Sequence, residues 1–160
     1  MACTRFRWSN PCHLLAVGLG SGFCPKMPGT VGTLAALPLW WLLSNSPVLL
    51  YGAVLIVAAL LGIVICGRTA ADLGGGDPSV IVWDEFVGLW ITLWAVPTRQ
   101  WQWVVIGFIL FRVLDISKPW PIRWIDRSVH GGLGIMLDDI LAGGLAALIL
   151  QRCGGYWSFC

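Results

Sequence analysis

Long apolar runs, separated by short polar segments, dominate the pattern of this chain. The clearest run, residues 48–66, contains no charged residue and is about as long as the core of a bilayer requires. We expect Gly67 and Arg68 to end it. A shorter run over residues 31–43 contains Pro38, which is expected to kink a helix. This pattern predicts membrane-spanning helices.

Three further runs extend this prediction. Residues 86–96 and 101–111 are apolar, and the polar segment 97–100 between them predicts a helical hairpin with a tight turn. Residues 140–150 are rich in Gly and Ala, which allow close helix packing in lipid. We therefore predict an all-α fold, in which residues 1–160 form one membrane domain, a helical bundle of four to five short spans.

Composition supports the membrane assignment. The chain has 160 residues, of which 58% are hydrophobic and only 11% are charged. A soluble domain usually carries about 25% charged residues. So few charges could not cover a soluble surface of this size. The net charge of +2 gives no reason to expect nucleic acid as a partner.

The basic residues predict an orientation. With the N-terminus in the cytoplasm and five crossings, the inner regions are residues 1–30, 67–85 and 112–139. These regions hold eight basic residues: Arg5, Arg7, Lys26, Arg68, Arg112, Lys118, Arg123 and Arg127. The outer regions hold only Arg99 and Arg152. The bias follows the positive-inside rule.

The acidic residues fall on the same predicted side, although they were not used to assign it. All eight lie in the inner regions: Asp72, Asp77, Asp84, Glu85, Asp115, Asp126, Asp138 and Asp139. A carboxylate at mid-bilayer costs at least about 2.5 kcal/mol. That cost explains why acids avoid the membrane core, but it does not explain why they avoid the outer face. A shared site on the inner face would explain it.

Two acidic doublets are the strongest candidates for that site. Asp84–Glu85 begins one predicted span and Asp138–Asp139 begins another. Carboxylate oxygens are the ligands that Mg²⁺ takes, and a bound magnesium ion can hold a phosphate and activate a water. For the first doublet, a solvated helix N-terminus that favours negative charge is the competing interpretation.

A glycine- and proline-rich segment, residues 18–33, precedes the first predicted helix. Its glycines allow backbone amides to approach an anion, and a helix N-terminus favours negative charge. We expect Thr30 to cap the helix. The segment lacks the GKS or GKT of a Walker A loop, and an ordinary connector remains the alternative interpretation. The predicted substrate contacts in it are Gly22, Lys26, Pro28, Gly29 and Thr30.

The segment 111–127 combines acidic, basic and aromatic residues. Asp115 and Lys118 are separated by one helical turn, and Lys118 and Arg123 are predicted to contact the substrate phosphate. Trp120 and Trp124 are typical of a membrane interface. Basic residues beside tryptophans could instead bind lipid headgroups in general.

Several phosphatase chemistries are excluded by missing motifs. No Cys is followed six residues later by Arg, and no DxD or RHG motif is present. Metal-assisted hydrolysis by carboxylates is what remains. A small cation or proton transporter is an alternative, but it would place acids at several depths of the membrane. A lipid phosphotransferase would need DG and AR elements that the chain lacks.

Four stretches together resemble the phosphatidylglycerophosphatase A family: SNPCHLLAVGLGSG with PKMPGTVGT, IVWDEFVGLWITL, FRVLDISKPWPIRWIDR and VHGGLGIMLDDILAG. The resemblance implies a helical enzyme of the bacterial cytoplasmic (inner) membrane, with its active site on the cytoplasmic face. The implied reaction is magnesium-dependent hydrolysis of phosphatidylglycerophosphate to phosphatidylglycerol and phosphate. The implied catalytic residues are Asp84, Glu85, Asp115, Asp138 and Asp139. The implied metal ligands are Asp84, Glu85, Asp138 and Asp139.

Overall fold

The computed structural model describes residues 6–94, 96 and 100–157, and within them it contains helices and no β-strand. The all-α prediction is therefore confirmed. A short 3₁₀ helix, Gly18–Phe23, follows the first α-helix. The α-helices, in chain order, are α1 (Pro11–Ala16), α2 (Pro28–Leu43), α3 (Val48–Asp72), α4 (Trp83–Trp94), α5 (Trp101–Ser117), α6 (Ile122–Ser128) and α7 (Gly131–Trp157).

Helices α3 and α7 are both long and apolar enough to cross a membrane. On α3, the side chains of Leu49, Ile56 and Leu60 are more than half exposed, as expected for a helix that faces lipid. Helix α2 is apolar but shorter. Two candidate spans in the described residues support a membrane protein, whereas the predicted total of four to five spans stays a prediction.

Two predicted helix boundaries were wrong. Helix α3 begins at Val48 as expected, but it continues through Gly67 and Arg68 to Asp72. Glycine in a helix interior costs only about 1 kcal/mol, and here it allows the backbone of Gly132 to approach closely. Helix α7 begins nine residues before the predicted start, so its acidic doublet lies two turns inside the helix instead of at its end.

The start of α2 also differs from the prediction. Thr30 does not cap α2, because the helix begins at Pro28 and its N-cap is Met27. Proline suits the first helical position, since its missing N–H has no partner there in any case. The predicted turn residues Pro97, Thr98 and Arg99 lie outside the described residues.

Helix α7 is the central element of the bundle. It runs parallel to α4, and a Cβ at Gly143 would overlap with the carbonyl oxygen of Gly88 on α4. A Cβ at Gly88 would in turn meet the ring of Phe111 and the carbonyl oxygen of Asp139. Helix α7 runs antiparallel to α3, with Gly132 against Gly67. Small residues at such crossings are typical of helix packing in membranes. This arrangement brings the ends of several helices that carry acidic residues to one end of the bundle.

Candidate active site

The two acidic doublets lie close together, because α4 and α7 are parallel neighbours. Glu85, Asp138 and Asp139 are buried, with exposed fractions of 9%, 6% and 2%. The carbonyl oxygen of Asp139 lies against Gly88, one turn after Asp84 on α4. Asp115 of α5 acts electrostatically on Asp139. The structure therefore brings together all five acidic residues that the sequence singled out.

Glu85 is held on both of its oxygens. Oε1 lies 3.2 Å from Nη1 of Arg112, and Oε2 accepts a hydrogen bond of 3.0 Å from Oγ1 of Thr33. The backbone of Gly29 packs directly against the same carboxylate, and a Cβ at that position would overlap with Oε1. Glu85 is thus fixed between α2 and α5.

Arg112 connects two of the predicted site residues. Its Nη1 also lies 2.6 Å from Oδ2 of Asp115, one turn later on α5. In the sequence, Arg112 stands out only as a positive charge on the predicted inner side. Its spacing of three residues from Asp115 was a signal for an ion pair, but nothing in the sequence indicated its contact with Glu85.

Asp138 is also bound to a cation. Its Oδ2 accepts a hydrogen bond of 2.6 Å from Nζ of Lys118, which bonds Asp126 at the same distance. Although burial lowers the pKa of Lys118, the hydrogen bonds to Asp126 and Asp138 outweigh that effect and raise its pKa above the ordinary value. Lys118 is therefore a fixed positive charge beside the second doublet.

The other member of each doublet has an open oxygen. Oδ1 of Asp84 and Oδ2 of Asp139 are shielded from solvent and have no hydrogen-bond partner among the residues that the structure describes. A buried carboxylate oxygen without a partner is costly, and a bound cation is one way to satisfy it. Each doublet thus offers one paired acid and one acid that is free to bind a ligand.

This donor set fits a magnesium ion. Within the described residues, no three His, Cys, Asp or Glu side chains form a complete metal centre by themselves. Magnesium usually keeps several waters and is bound by only one or two carboxylates together with substrate phosphate. Asp84 and Asp139 would hold it, whereas Glu85 and Asp138 are engaged by Arg112 and Lys118.

The predicted substrate contacts of the glycine-rich segment separate into two groups. Gly29, adjacent to Pro28 and Thr30 in the first turn of α2, reaches the acidic site through Glu85. Gly22 packs instead against the backbone of Val80, where a Cβ would overlap with the carbonyl oxygen. Lys26 is exposed, and its carbonyl oxygen accepts a hydrogen bond of 3.2 Å from Sγ of Cys24.

Arg123 lies in a cleft next to the acidic site. The cleft has a volume of about 370 Å³ and is lined by Lys118, Pro119, Trp120, Arg123, Trp124 and Arg127. Arg123 donates a long hydrogen bond of 3.4 Å to the carbonyl oxygen of Ser117. Lys118 lines the cleft and also bonds Asp138, so the cleft and the acidic site are adjacent.

A second buried polar contact was not predicted. The ring of His13 on α1 is 1% exposed, and its Nε2 lies 2.9 Å from Oδ2 of Asp72 at the end of α3. The backbone N–H of Arg7 donates to Nδ1, so in the neutral ring Nε2 carries the proton and donates to Asp72. No sequence spacing links residues 13 and 72. The contact anchors the segment before the glycine-rich turn.

Comparison with known proteins gives consistent results. A family model described as phosphatidylglycerophosphatase A matches residues 14–153. The chain is 55% identical over 157 residues to phosphatidylglycerophosphatase A of Escherichia coli (strain K12), covering 98% of this chain and 91% of the relative. It is 47% identical over 149 residues to the protein of that name in Haemophilus influenzae, with 92% and 91% covered.

A further relative carries a different name. The chain is 42% identical over 136 residues to a putative phosphatidylinositol-3-phosphatase of Bacteroides thetaiotaomicron, covering 81% of this chain and 85% of the relative. No solved structure matches the chain.

Proposed function

We propose that this chain, which belongs to the phosphatidylglycerophosphatase A family, hydrolyses phosphatidylglycerophosphate to phosphatidylglycerol and inorganic phosphate with the help of magnesium. In this reaction the oxygen of water forms a bond to the terminal phosphorus and the bond from phosphorus to the glycerol oxygen breaks. The glycerol oxygen leaves as an alcohol after it takes a proton.

The observation that carries this proposal is the pair of open carboxylate oxygens on α4 and α7. Asp84 and Asp139 each present a shielded oxygen that has no partner within the described ranges, and Asp139 packs against Gly88, one turn after Asp84, at the α4–α7 interface. Such a pair repels a phosphate unless a cation lies between them. When bound there, magnesium would neutralise phosphate charge and lower the pKa of a bound water.

The remaining site residues have supporting roles in this proposal. Lys118 would contact the phosphate from the side of α5, since its ammonium group already lies 2.6 Å from Asp138. Arg112 would hold Glu85 and Asp115 in place, because it bonds both carboxylates. The first turn of α2 at Gly29 would bring backbone amides towards the anion.

We place the reaction at the cytoplasmic face of the bacterial inner membrane. The excess of basic residues in the predicted inner regions supports this orientation, as does the position of the acidic site at one end of the bundle. In this arrangement α2, α4 and α5 accompany α3 and α7 in a multi-pass bundle. Labelling of single cysteines from each side of sealed vesicles tests it, and labelling of the acidic end from the periplasm would contradict it.

Phosphate release from defined lipids tests the activity. We expect the purified protein in detergent to release phosphate from phosphatidylglycerophosphate, with activity lost in chelator and restored by magnesium. A transporter would release none. Acid-quench trapping with labelled substrate tests the attack by water, and a phosphorylated Asp84, Asp115 or Asp138 would show instead that a carboxylate is the nucleophile.

A further inference from the structure

The cleft between the end of α5 and α6 is lined by two arginines in addition to Lys118. Arg123 and Arg127 lie one turn apart on α6, and both side chains are exposed at the cleft. Neither arginine forms an ion pair with any residue that the structure describes. No acidic residue of the described part of the chain lines the cleft. Two guanidinium groups that lack a carboxylate partner there, of which Arg123 makes only a long bond to a carbonyl oxygen, fit an anion.

The tryptophans identify the environment of this anion. Trp120 is 84% exposed and Trp124 is 63% exposed, and both line the cleft. Large aromatic side chains exposed beside arginines are typical of the region where lipid headgroups meet acyl chains. The anion is therefore expected at the depth of a phospholipid phosphodiester, with the acyl chains beyond the tryptophans.

The adjacent acidic site defines which phosphodiester this is. Lys118 lines the cleft and also bonds Asp138, next to the open oxygen of Asp139. Phosphatidylglycerophosphate carries two phosphates, a terminal monoester and an internal diester, separated by one glycerol unit. With the monoester at the carboxylates, the glycerol would pass Lys118 and the diester would lie on the side of the arginines.

We propose that Arg123 and Arg127 form a second phosphate subsite, which binds the internal phosphodiester of the substrate and selects lipids that carry a phosphomonoester beyond a phosphodiester. The proposal rests on the function proposed above. Guanidinium groups suit this role because their paired N–H donors match two phosphate oxygens. Phosphatidic acid, which has a monoester and no diester, would leave the subsite unfilled.

Calorimetric titration of the full chain in a neutral detergent tests the subsite without turnover. The probes are short-chain phosphatidylglycerol, which keeps only the diester, and the matching short-chain diacylglycerol, which has no phosphate. We expect Arg123→Gln and Arg127→Gln each to raise the dissociation constant for phosphatidylglycerol about tenfold. Binding of diacylglycerol is expected to stay unchanged.

Two control variants sharpen this result. Arg127→Lys keeps the charge but loses the paired donors, so it should weaken phosphatidylglycerol binding by an intermediate amount. Arg152→Gln removes an exposed arginine about 20 Å along α7 from the acidic doublet, and it should bind like the wild type. Unchanged affinity in both glutamine variants, or an equal loss for diacylglycerol, would overturn the subsite.

Activity measurements then link the subsite to selection. In neutral detergent, Arg127→Gln should lower kcat/KM for phosphatidylglycerophosphate about tenfold and leave inhibition by inorganic phosphate unchanged. Equal weakening of phosphate inhibition would show that the arginines serve the terminal phosphate and would contradict the proposal. Absence of phosphate release by the wild type would refute the proposed function, whereas the calorimetric result would still decide the subsite.

Discussion

The two acidic doublets share one arrangement, in which one acid is paired with a cation and its neighbour keeps an open oxygen. In the doublet on α4, Glu85 is bound by Arg112 while Asp84 keeps an open oxygen. In the doublet on α7, Asp138 is bound by Lys118 while Asp139 keeps an open oxygen. Both cations come from α5 or its C-terminal cap.

The difference between the doublets lies in how each paired acid is held. Arg112 is largely buried, and its two carboxylate partners are also largely buried. Lys118 is more accessible and shares its charge with the half-exposed Asp126. The first doublet is therefore held by a largely buried cation, whereas the second is held by a cation that also lines the cleft. Substitution of Arg112 should mainly affect stability, and substitution of Lys118 should mainly affect substrate affinity.

The largest effect is expected at the two acids with open oxygens. Asp84→Asn and Asp139→Asn keep the shape of the side chain but remove the charge that would hold a cation, so each should lower phosphate release at least about a thousandfold. The measurement is turnover per folded molecule over a magnesium titration. Asp72→Asn, which alters an acid bound to His13, is the matched control and should stay within about threefold.

Near-normal turnover of Asp139→Asn at ordinary magnesium would remove that residue from the site. Loss at one of the two positions only would show that the doublets are not equivalent and would assign the cation to a single helix.

The next largest effect is expected at Arg112. Arg112→Met leaves Glu85 and Asp115 without their cation, which should lower stability by about 3 kcal/mol and turnover by about a hundredfold. Thermal unfolding in detergent measures the first effect. Adding Glu85→Gln should restore part of the lost stability, because it removes one of the unpaired charges. A double variant as unstable as the sum of the single variants would show that the two residues act independently.

A smaller effect is expected at Lys118, on the side of the second doublet. Lys118→Met should raise KM or lower kcat about tenfold while the magnesium concentration for half-maximal activity stays nearly unchanged, since an ammonium group binds anions. Stability should change less than in Arg112→Met, because Lys118 is more exposed. Wild-type kinetics would mean that Lys118 only contacts lipid headgroups.

The smallest effect is expected from a pair of glycines. Gly29→Ala places a Cβ against Glu85 and should displace it, with a loss of activity of a few fold. Gly144→Ala on α7 meets no atom within 4 Å and should be neutral or slightly stabilising, because alanine favours helix. Equal behaviour of the two variants would show that the contact between α2 and Glu85 has no role in positioning the first doublet.

Much of the fold followed from local patterns, and the errors have a common cause. Apolar runs predicted α2 to α5 and α7, and the start of α3 was correct at Val48. The predicted end at Gly67 and Arg68 failed because a contact with Gly132, far along the chain, favours a continuous helix there. The start of α7 was missed for a similar reason. Its first turns contain glycines, which are typical of loops, and only their packing against α3 explains a helix there.

The sequence by itself determined the helices and the family, and it predicted the membrane class and the gathering of acidic residues on one side, because hydrophobic runs and charge bias are local properties that direct how a chain inserts into a bilayer. Only the tertiary structure decided which acid of each doublet is paired. Neighbours on a helix point about 100° apart, so one of them must turn away from the other's partner. Which one meets a cation depends on where α5 places Arg112 and Lys118, and that position follows from packing against α4 and α7.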